Sequence, residues 1–392
     1  MKTSKLINEI SGPSSKAWAV GDRAFDLMAE GKDIIHLGIG DPDFDTPKPI
    51  IEALEEALRD GKTHYSPLAG EEALRQQIAV HANSLYGSGI SEGNIAVLPG
   101  AQAALFSALL STSGRGDEVI ILEPTYATYP SVIRATGARV VTVVLDDADQ
   151  YQLNIDKIKA VITDRTRAIL INSPCNPSGV IFKQETLNKL ASLCCARNIW
   201  LISDEVYWSL TYGQEHVSAY TQVETRSNVI VVNSLSKSHA MSGWRIGWII
   251  APEIIIEALT SLSQAQYFGV NQFVQYAAIT ALKDQISPKR FHEIFRARRD
   301  AFLSKLSQSK ILRFIHPEGG MFVLIDVVMT GLDGESFAEK LLDNEGVAVV
   351  PGFGFGPSMK STIRVGFLAE KSILEEAAIR IMRFADTQYR IS

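Results

Sequence analysis

One stretch of the sequence sets a lysine between two apolar runs. Lys237 lies in the polar residues 233–245, after the β-branched residues 229–232 and before the apolar residues 246–250. Such apolar runs predict buried strands, so the lysine is expected to project from a rigid core. Desolvation disfavours the ammonium form, and a lysine with a lowered pKa is a nucleophile that forms a Schiff base with an aldehyde.

The neighbours of Lys237 suit a phosphate group. Ser234 and Ser236 offer hydroxyls and Arg245 offers a guanidinium. Groups of these kinds can donate hydrogen bonds to phosphate oxygens. Pyridoxal phosphate is an aldehyde with a phosphate tail, so the segment suggests a site for that cofactor. A solvated lysine in a polar loop is the alternative. The choice depends on whether the rest of the chain supplies a partner for the pyridine nitrogen, a phosphate cradle and a clamp for a carboxylate.

Length and composition define the class of protein. A chain of 392 residues is too long for one compact core and predicts two or three domains. The hydrophobic content of 46% and the net charge of -6 are typical of a soluble globular protein. The basic residues are outnumbered and dispersed, which argues against a nucleic-acid-binding surface.

We expect a cytoplasmic protein without a membrane span or a metal site. Residues 1–10 lack the apolar core of a signal peptide, and no later run is long and apolar enough to span a bilayer. Cys194 and Cys195 are adjacent in a predicted helix, and Cys175 stands alone. This pattern is neither a disulfide framework nor a zinc site, so buried thiols are expected.

Strands and helices are predicted to alternate through the first two thirds of the chain. The predicted strands cover residues 94–98, 119–122, 140–145, 168–172, 199–203 and 229–232. Alternation of this kind predicts an α/β fold with an open, mostly parallel sheet between helices. Ligands bind at the carboxyl ends of the strands in such sheets. The polar residues that follow predicted strands, and are expected at that edge, are Tyr126, Asn176, Asp204, Tyr207 and Lys237.

Several of the remaining polar positions have two explanations each. Asp204 ends the apolar run 199–202, where a carboxylate needs a cation such as a protonated pyridine nitrogen, although it could also cap a helix. The turn 99–102 precedes a predicted helix, an arrangement whose free N–H groups hold an anion. Gly40 either lets a ligand approach its N–H group or is a plain turn glycine. Tyr65 is either a phosphate donor or a packing aromatic residue.

The last third of the chain predicts a smaller α+β domain. A single helix over residues 252–283 is expected to close the large domain, and a basic helix over 289–307 opens the small one. A helix is also predicted over 15–30. We divide the chain into an N-terminal arm with part of the small domain (1–45), a large cofactor-binding domain (46–285) and a small C-terminal domain (286–392).

Arg364 interrupts the apolar pattern of the predicted strand 362–367. An exposed strand arginine is the common explanation. An arginine that turns inward would instead form a bidentate clamp for a carboxylate.

Taken together, the motifs resemble those of the fold-type I pyridoxal phosphate enzymes and, among them, the class I aminotransferases, over nearly the whole chain. The similarity lies in motifs whose order and spacing agree with that family: YSPLAG at 65–70, PGAQ at 99–102, NSPCNPSG at 172–179, SDEVY at 203–207, SLSK at 234–237 with GWRIG at 243–247, GGMF at 319–322 and IRV at 363–365. The resemblance implies a large domain with a mostly parallel seven-stranded sheet and a smaller α+β domain. Several motifs at once are far more specific than any one of them.

The resemblance also implies the cofactor and its contacts. Pyridoxal 5′-phosphate, alternating with pyridoxamine phosphate, is the expected cofactor, and Lys237 is the expected Schiff-base lysine and general acid–base group. Asp204 would keep the pyridine nitrogen protonated. Tyr207 and Asn176 would hydrogen-bond the ring oxygen, and Tyr126 would stack on the ring. The implied phosphate ligands are Gly100, Ala101, Gln102, Ser234, Ser236 and Arg245.

The implied substrate contacts come from other parts of the chain. Arg364, with Gly40 and Asn176, would hold the α-carboxylate of the substrate. Tyr65 would reach the phosphate of the neighbouring subunit, so the resemblance implies a homodimer with active sites at the subunit interface. Trp18 matches a tryptophan on the arm of the arginine–pyruvate transaminases, which are also similar in the loop at Gly100 and in the lysine segment.

The expected reaction is transfer of an amino group from an L-amino acid to a 2-oxo acid. Ala101 stands where some aspartate-acting relatives have a lysine for the distal carboxylate, which favours a neutral or basic donor, such as arginine, with pyruvate as acceptor. The alternatives are an aspartate-type enzyme that uses 2-oxoglutarate and a β-lyase. A DNA-binding regulator on the same fold is a further alternative, but the arm before the first predicted strand is too short for a helix-turn-helix module.

Overall fold

The computed structural model of the chain describes residues 4–10 and 13–391. Its strands are, in chain order, β1 (Ile35–His36), β2 (Ile95–Leu98), β3 (Glu118–Glu123), β4 (Arg139–Val144), β5 (Thr166–Asn172), β6 (Trp200–Asp204), β7 (Val229–Ser234), β8 (Gly247–Ile250), β9 (Arg313–Phe314), β10 (Phe322–Asp326), β11 (Val347–Ala348), β12 (Val350–Pro351) and β13 (Thr362–Gly366).

The α-helices surround these strands. They are α1 (Lys5–Ile10), α2 (Ala19–Ala29), α3 (Lys48–Arg59), α4 (Glu72–Tyr86), α5 (Ala101–Thr112), α6 (Tyr129–Ala135), α7 (Ile155–Val161), α8 (Gln184–Arg197), α9 (Glu253–Gln266), α10 (Gln272–Lys283), α11 (Ile286–Leu306), α12 (Gly334–Glu345) and α13 (Lys371–Ile391). No helix of the described part of the chain combines the length and the apolar character that a membrane span needs.

A seven-stranded sheet forms the centre of the molecule, with strand order β2-β8-β7-β6-β5-β3-β4. Only β8 runs against the others, which confirms the predicted mostly parallel sheet. The carboxyl ends of β5 and β6 are in register, with Asn172 opposite Asp204. Polar residues at the ends of neighbouring strands therefore lie side by side.

The central strands are apolar throughout because both faces of the sheet are covered. Along β7, Val229 and Val231 belong to one core cluster, whereas Ile230 and Val232 belong to the cluster on the other face. All four side chains are fully buried. This alternation is the reason that the strand has no polar face, as is typical of parallel sheets between helices. The sheet therefore holds its strand ends rigidly.

A second sheet, of order β12-β13-β10-β9, lies near the carboxyl end of the chain. It is antiparallel, and its apolar face shares one core with α2, α11, α12 and α13. The short strand β1 pairs with β11 beside this core, so residues 35–36 of the arm join the same unit. The smaller α+β unit is thus present, while the domain boundaries at 45 and 285 stay a prediction.

Two of the predicted helices differ from the structure. The single helix expected over 252–283 is wrong, because the chain forms α9 and α10 with a break between them. Phe268 and Gly269 have φ angles of 57° and 108° at that break, a left-handed backbone that ends a helix. The apolar periodicity continues on both sides and conceals it. In the arm, the start of the helix expected over 15–30 is instead the 3-10 helix Pro13–Trp18, which precedes α2.

Candidate active site

A cavity of about 340 Å³ opens at the carboxyl edge of the large sheet. Its walls combine the ends of β5, β6 and β7, the start of α5, residues 39–41 of the arm and one side chain of β13. The predicted site residues that line it are Trp18, Gly40, Ala101, Gln102, Tyr126, Asn176, Asp204, Tyr207, Ser234, Ser236, Lys237, Arg245 and Arg364. The fold thus brings together residues that are as much as 346 positions apart, from Trp18 to Arg364.

Lys237 lies in the turn after β7, with its ammonium group inside the cavity. Its Nζ donates a hydrogen bond to the carbonyl oxygen of Gly40 at 2.5 Å. Desolvation lowers the pKa of Lys237 to about 8, and the carboxylate of Asp41 partly opposes that effect. A substantial fraction of this lysine is therefore a neutral amine near physiological pH, as a nucleophile or a general base requires.

Asp204 ends β6 and lies beneath the same cavity, where its side chain is buried. The hydroxyl of Tyr129 donates to Asp204 Oδ2 at 2.7 Å, and the N–H of Val206 donates to Oδ1 at 3.3 Å. Burial raises the pKa of Asp204 to about 6, although the Tyr129 bond acts in the opposite direction. A turn rather than an α-helix follows Asp204, so the helix-cap alternative is wrong. The carboxylate can accept a bond from a cationic nitrogen in the cavity.

The start of α5 forms an anion-binding corner. Gly100 has a φ angle of 85°, and a Cβ atom there would lie 2.6 Å from Arg245 Nη2. A Cβ atom on Gly247 would lie 2.8 Å from the backbone nitrogen of Ala101. Glycine at both positions lets the turn, β8 and Arg245 come together at the helix start. The free N–H groups of α5, the Arg245 guanidinium and the hydroxyls of Ser234 and Ser236 lie around one corner of the cavity and can hold a phosphate.

Arg364 turns inward from β13 and is 1% exposed, so the exposed-arginine explanation is wrong. Its Nη1 donates to Asn176 Oδ1 at 3.0 Å and its Nη2 donates to the Gly38 carbonyl at 2.6 Å. Its Nε has no hydrogen-bond partner among the described residues. The guanidinium carbon lies 4.1 Å from the ring centroid of Phe322, and burial lowers the pKa of Arg364 to about 10. A buried cation with neutral partners is a binding site for an incoming carboxylate.

Polar and aromatic side chains complete the floor of the cavity. Asn176 Nδ2 donates to the hydroxyl of Tyr207 at 3.4 Å. Asn172 fixes this pair, since its Oδ1 accepts from the Asn176 N–H at 2.7 Å and its Nδ2 donates to the Asp204 carbonyl at 2.9 Å. Tyr126 packs edge-on against another tyrosine with ring centroids 5.5 Å apart. This set can hydrogen-bond a ring oxygen and contact an aromatic ring.

Comparison with known proteins identifies the family. A family model described as aminotransferase class I and II matches residues 32–381. The chain belongs to this family. An arginine–pyruvate transaminase of Pseudomonas aeruginosa is 41% identical over 97% of each chain, and an aspartate aminotransferase of Bacillus subtilis is 33% identical over 98% of this chain and 99% of its own. The structure of Thermus thermophilus aspartate aminotransferase with maleate has a TM-score of 0.93 at 32% identity and covers 98% of this chain and 100% of its own.

The chemistry of the cavity fits the cofactor of this family. Members of the family use pyridoxal phosphate, so this aminotransferase is a pyridoxal phosphate-dependent transaminase. The cavity offers a cationic corner for a phosphate, a buried carboxylate for a pyridinium and a lysine whose pKa is lowered to about 8. Its volume is that of an ordinary small-molecule site.

Tyr65 is the one predicted site residue that the aminotransferase does not bring near its own cavity. Its side chain is 80% exposed and packs edge-on against Phe268, with ring centroids 5.1 Å apart. A tyrosine this exposed is available to a second copy of the chain. Its predicted contact with a neighbouring subunit stays a prediction.

The side chains of this aminotransferase that sequence reasoning missed include Asn172, which lies in a matched motif, and also Tyr129 and Asp41. Tyr129 bonds Asp204, yet its sequence neighbourhood differs little from that of any helix start. Asp41 lines the cavity beside Gly40, within a motif that reads as a polar turn.

Proposed function

We propose that this aminotransferase moves an amino group from a neutral or basic L-amino acid, with arginine favoured, to a 2-oxo acid such as pyruvate by a ping-pong reaction. The similarity to an arginine–pyruvate transaminase supports the choice of substrates. The aspartate aminotransferases among the relatives make aspartate with 2-oxoglutarate the second candidate.

The charges around the cavity carry the proposal. Five charged side chains line the cavity. Four of them would pair with the cofactor or with the α-carboxylate of the substrate: Asp204, Lys237, Arg245 and Arg364. The fifth is Asp41, an acid. Ala101 offers no cation to a distal carboxylate. A substrate side chain therefore meets a negative field, which disfavours dicarboxylates and favours a cationic or neutral group.

Lys237 is the proposed Schiff-base lysine and proton carrier. When bound, the cofactor supplies an electron-withdrawing ring that makes the Cα proton of the substrate acidic. Lys237 Nζ would hold the cofactor through its aldehyde carbon and would carry the proton of the substrate Cα. Its lowered pKa of about 8 suits this role, because a general base works best when its pKa is near the working pH.

The other cavity residues are proposed to hold and orient. Asp204, supported by Tyr129, would keep a proton on the pyridine nitrogen, because a buried carboxylate stabilises a cation beside it. Tyr207 and Asn176 would bond the ring oxygen, and Tyr126 would contact the ring face. The proposed phosphate ligands are Gly100, Ala101, Gln102, Ser234, Ser236 and Arg245.

The substrate carboxylate is proposed to bind Arg364, with the N–H of Gly40 and the amide of Asn176. Trp18 lies 5.7 Å from the Arg364 guanidinium, measured to its ring centroid, and would cover the substrate from the arm. The exposed Tyr65 supports a homodimer in which each subunit supplies this residue to its partner. The cytoplasmic location stays a prediction.

A panel of amino donors and 2-oxo acids tests the substrates. We expect the highest kcat/KM with arginine or another basic donor and pyruvate, and low activity with aspartate and 2-oxoglutarate. The reverse order would contradict the proposed substrate while leaving the family intact. Pyruvate and ammonia released from a sulfur amino acid without an acceptor would instead indicate the β-lyase alternative.

Two substitutions sharpen that panel. Asp41→Asn should lower the ratio of kcat/KM for arginine to that for alanine by about tenfold, the value of one moderately screened charge pair. The ratio isolates the side-chain contact, because any effect of Asp41 on Lys237 alters both donors equally. Ala101→Lys should raise activity with aspartate. An unchanged ratio in Asp41→Asn would remove Asp41 from the substrate pocket.

A further inference from the structure

Residues 37–47, here called the crossover segment, connect strand β1 of the small unit with helix α3 of the large domain. The segment begins after β1, passes over the cavity and ends at Pro47, where α3 starts. Its backbone contacts two cationic side chains of the cavity. Gly38 O accepts a hydrogen bond from Arg364 at 2.6 Å, and Gly40 O accepts one from Lys237 at 2.5 Å. The segment thus links the proposed carboxylate clamp to the proposed Schiff-base lysine.

Secondary structure does not hold the central part of the crossover segment. Leu37 still bonds the small unit at both its N–H and its carbonyl group. Residues 39–46 make no backbone–backbone hydrogen bond within the described chain. Side chains must therefore fix the position of this stretch, because an unpaired backbone has many conformations of similar energy.

One anchor is an ion pair to helix α11. Arg298 donates from Nη1 and Nη2 to the two carboxylate oxygens of Asp43, at 2.6 and 2.9 Å. The Arg298 side chain is 3% exposed, and its guanidinium lies 4.9 Å from the ring centroid of Phe44. Phe44 stacks on Phe291 of the same helix, with ring centroids 4.6 Å apart. The Asp43 side chain is 31% exposed, so only the arginine of this pair is desolvated. The bidentate contact fixes geometry as well as charge.

The other anchor is a hydrogen-bonded threonine. Thr46 Oγ1 donates to the Ala240 carbonyl at 2.7 Å and accepts from Trp244 Nε1 at 2.9 Å. Ala240 and Trp244 belong to the same loop as Lys237. The crossover segment is thus tied to α11 at Asp43 and to the lysine loop at Thr46.

We propose that Arg298 and Thr46 are positioning residues, which hold the crossover segment so that its Gly38 and Gly40 carbonyls stay on Arg364 and Lys237. Gly40 lies only three positions before Asp43, so a shift at the ion pair displaces the carbonyl that bonds the lysine. The inference rests on the proposed roles of Lys237 and Arg364, although not on the identity of the amino donor.

The test compares Arg298→Gln with Arg299→Gln. Arg299 is the matched control because it is also buried on α11, yet it bonds Asp300 and the Pro317 carbonyl rather than the crossover segment. Two quantities are measured on each purified protein. The first is the pH midpoint of the rate at which cofactor-free protein forms the absorbance of lysine-bound pyridoxal phosphate. The second is the KM of the donor, alongside kcat and the Tm.

Arg298→Gln should lower that midpoint by about half a pH unit, a threefold change in the protonation equilibrium of Lys237. The sign follows because the Gly40 carbonyl and Asp41 both favour the ammonium form. The KM of the donor should rise about tenfold, equivalent to the loss of one good hydrogen bond. Arg299→Gln should leave the pH midpoint unchanged and the KM of the donor within a factor of two of the wild-type value. This should hold even if its Tm falls by as much as the Tm of Arg298→Gln. Arg298→Lys should give intermediate values, since it keeps the charge without the bidentate contact.

A lower Tm in Arg298→Gln with the same midpoint and KM as in the control would overturn the proposal. Should Arg298→Gln not fold, Thr46→Val decides, because it removes two hydrogen bonds and changes the volume little. A midpoint and KM unchanged in Thr46→Val would then overturn the proposal, and shifts in the expected direction would support it. Wild-type protein that yields no borohydride-trapped adduct at Lys237 would contradict the proposed function itself.

Discussion

The two walls of the cavity are built in different ways. The wall proposed to bind the cofactor, here called the cofactor wall, is formed by Asp204, Ser234 and the start of α5, which end or follow strands of one sheet. The wall proposed to bind the substrate, here called the substrate wall, is formed by Trp18, the carbonyl of Gly38 and Arg364. These groups come from a 3-10 helix, a segment without regular structure and the small sheet. Backbone pairing holds the first wall and also the strand that carries Arg364. In the second wall, side-chain contacts hold the segment that contains Gly38 and Gly40. The second wall is therefore the one that substitutions far from the cavity can move.

The charges of the two walls differ as well. In the cofactor wall the buried Asp204 is partly satisfied by the hydroxyl of Tyr129. In the substrate wall the buried Arg364 keeps an unpaired Nε and bonds only neutral oxygens in the described chain. A buried charge without a counter-ion is costly, so each wall favours a ligand of the opposite charge. The cavity thus prefers a pyridinium beside one wall and a carboxylate beside the other.

Lys237 lies between the walls, and its loss should have the largest effect. Lys237→Ala should abolish the absorbance of lysine-bound cofactor and lower turnover by about 10⁴-fold or more, the upper end for loss of a positioned acid–base group. Absorbance spectra and steady-state rates test this. Lys310→Ala, at an exposed position, serves as the control. Residual turnover near that of the wild type would remove Lys237 from the mechanism.

Breaking the substrate wall alone should leave the cofactor in place. Arg364→Ala should weaken donor binding by about 2 to 5 kcal/mol, or about 30- to 4000-fold in KM, because a carboxylate would lose its buried partner. The absorbance of the bound cofactor should not change. Arg364→Lys keeps the charge and should recover only part of the affinity. A normal KM in Arg364→Ala would place the carboxylate elsewhere.

A change in the cofactor wall should give the opposite pattern. Tyr129→Phe removes a hydrogen bond to a buried carboxylate, which is worth about 1.5 to 3 kcal/mol. The pKa of Asp204 should rise, because the Tyr129 bond lowers it, and cofactor affinity should fall by about 10- to 150-fold. Equilibrium dialysis of the cofactor measures the change, with Tyr151→Phe as a buried control. Equal affinities in the two variants would mean that Tyr129 does not support Asp204.

The smallest effect sharpens the view of Lys237 itself. Burial lowers the pKa of Lys237 to about 8. The fraction of Lys237 that is a neutral amine therefore increases with pH until the pH reaches about that value. The loading rate of cofactor-free protein should rise about tenfold per pH unit below that point and level off above it. Stopped-flow absorbance measurements between pH 6 and pH 10 test this expectation. A rate that still climbs at pH 10 would indicate an ordinary, solvated lysine.

The difference between the walls also explains which features were predictable. Asp204 and Ser234 end apolar runs, and parallel strands bring their carboxyl ends to one edge, so their proximity was predictable from the pattern. Their expected roles came from the resemblance to the family. The break between α9 and α10 did not, because a left-handed Phe268 leaves the apolar periodicity unchanged. Tyr129 and Asp41 were missed for a similar reason. Nothing in their local sequence distinguishes them from a helix-start tyrosine and a turn aspartate.

The alternation of strands and helices, the lysine segment and the motifs of the family could all be predicted from the sequence. The reason is that hydrophobic periodicity and turn residues act over short distances along the chain. Only the tertiary structure decided that Arg364 turns inward, that Tyr129 supports Asp204 and that Arg298 holds Asp43. Tyr129 and Asp204 are 75 positions apart in the sequence, and Arg298 and Asp43 are 255 positions apart. The charge of Arg364 is likewise buried against groups that are distant in the sequence. Such contacts depend on packing, and short-range patterns along a chain do not encode which distant side chains meet.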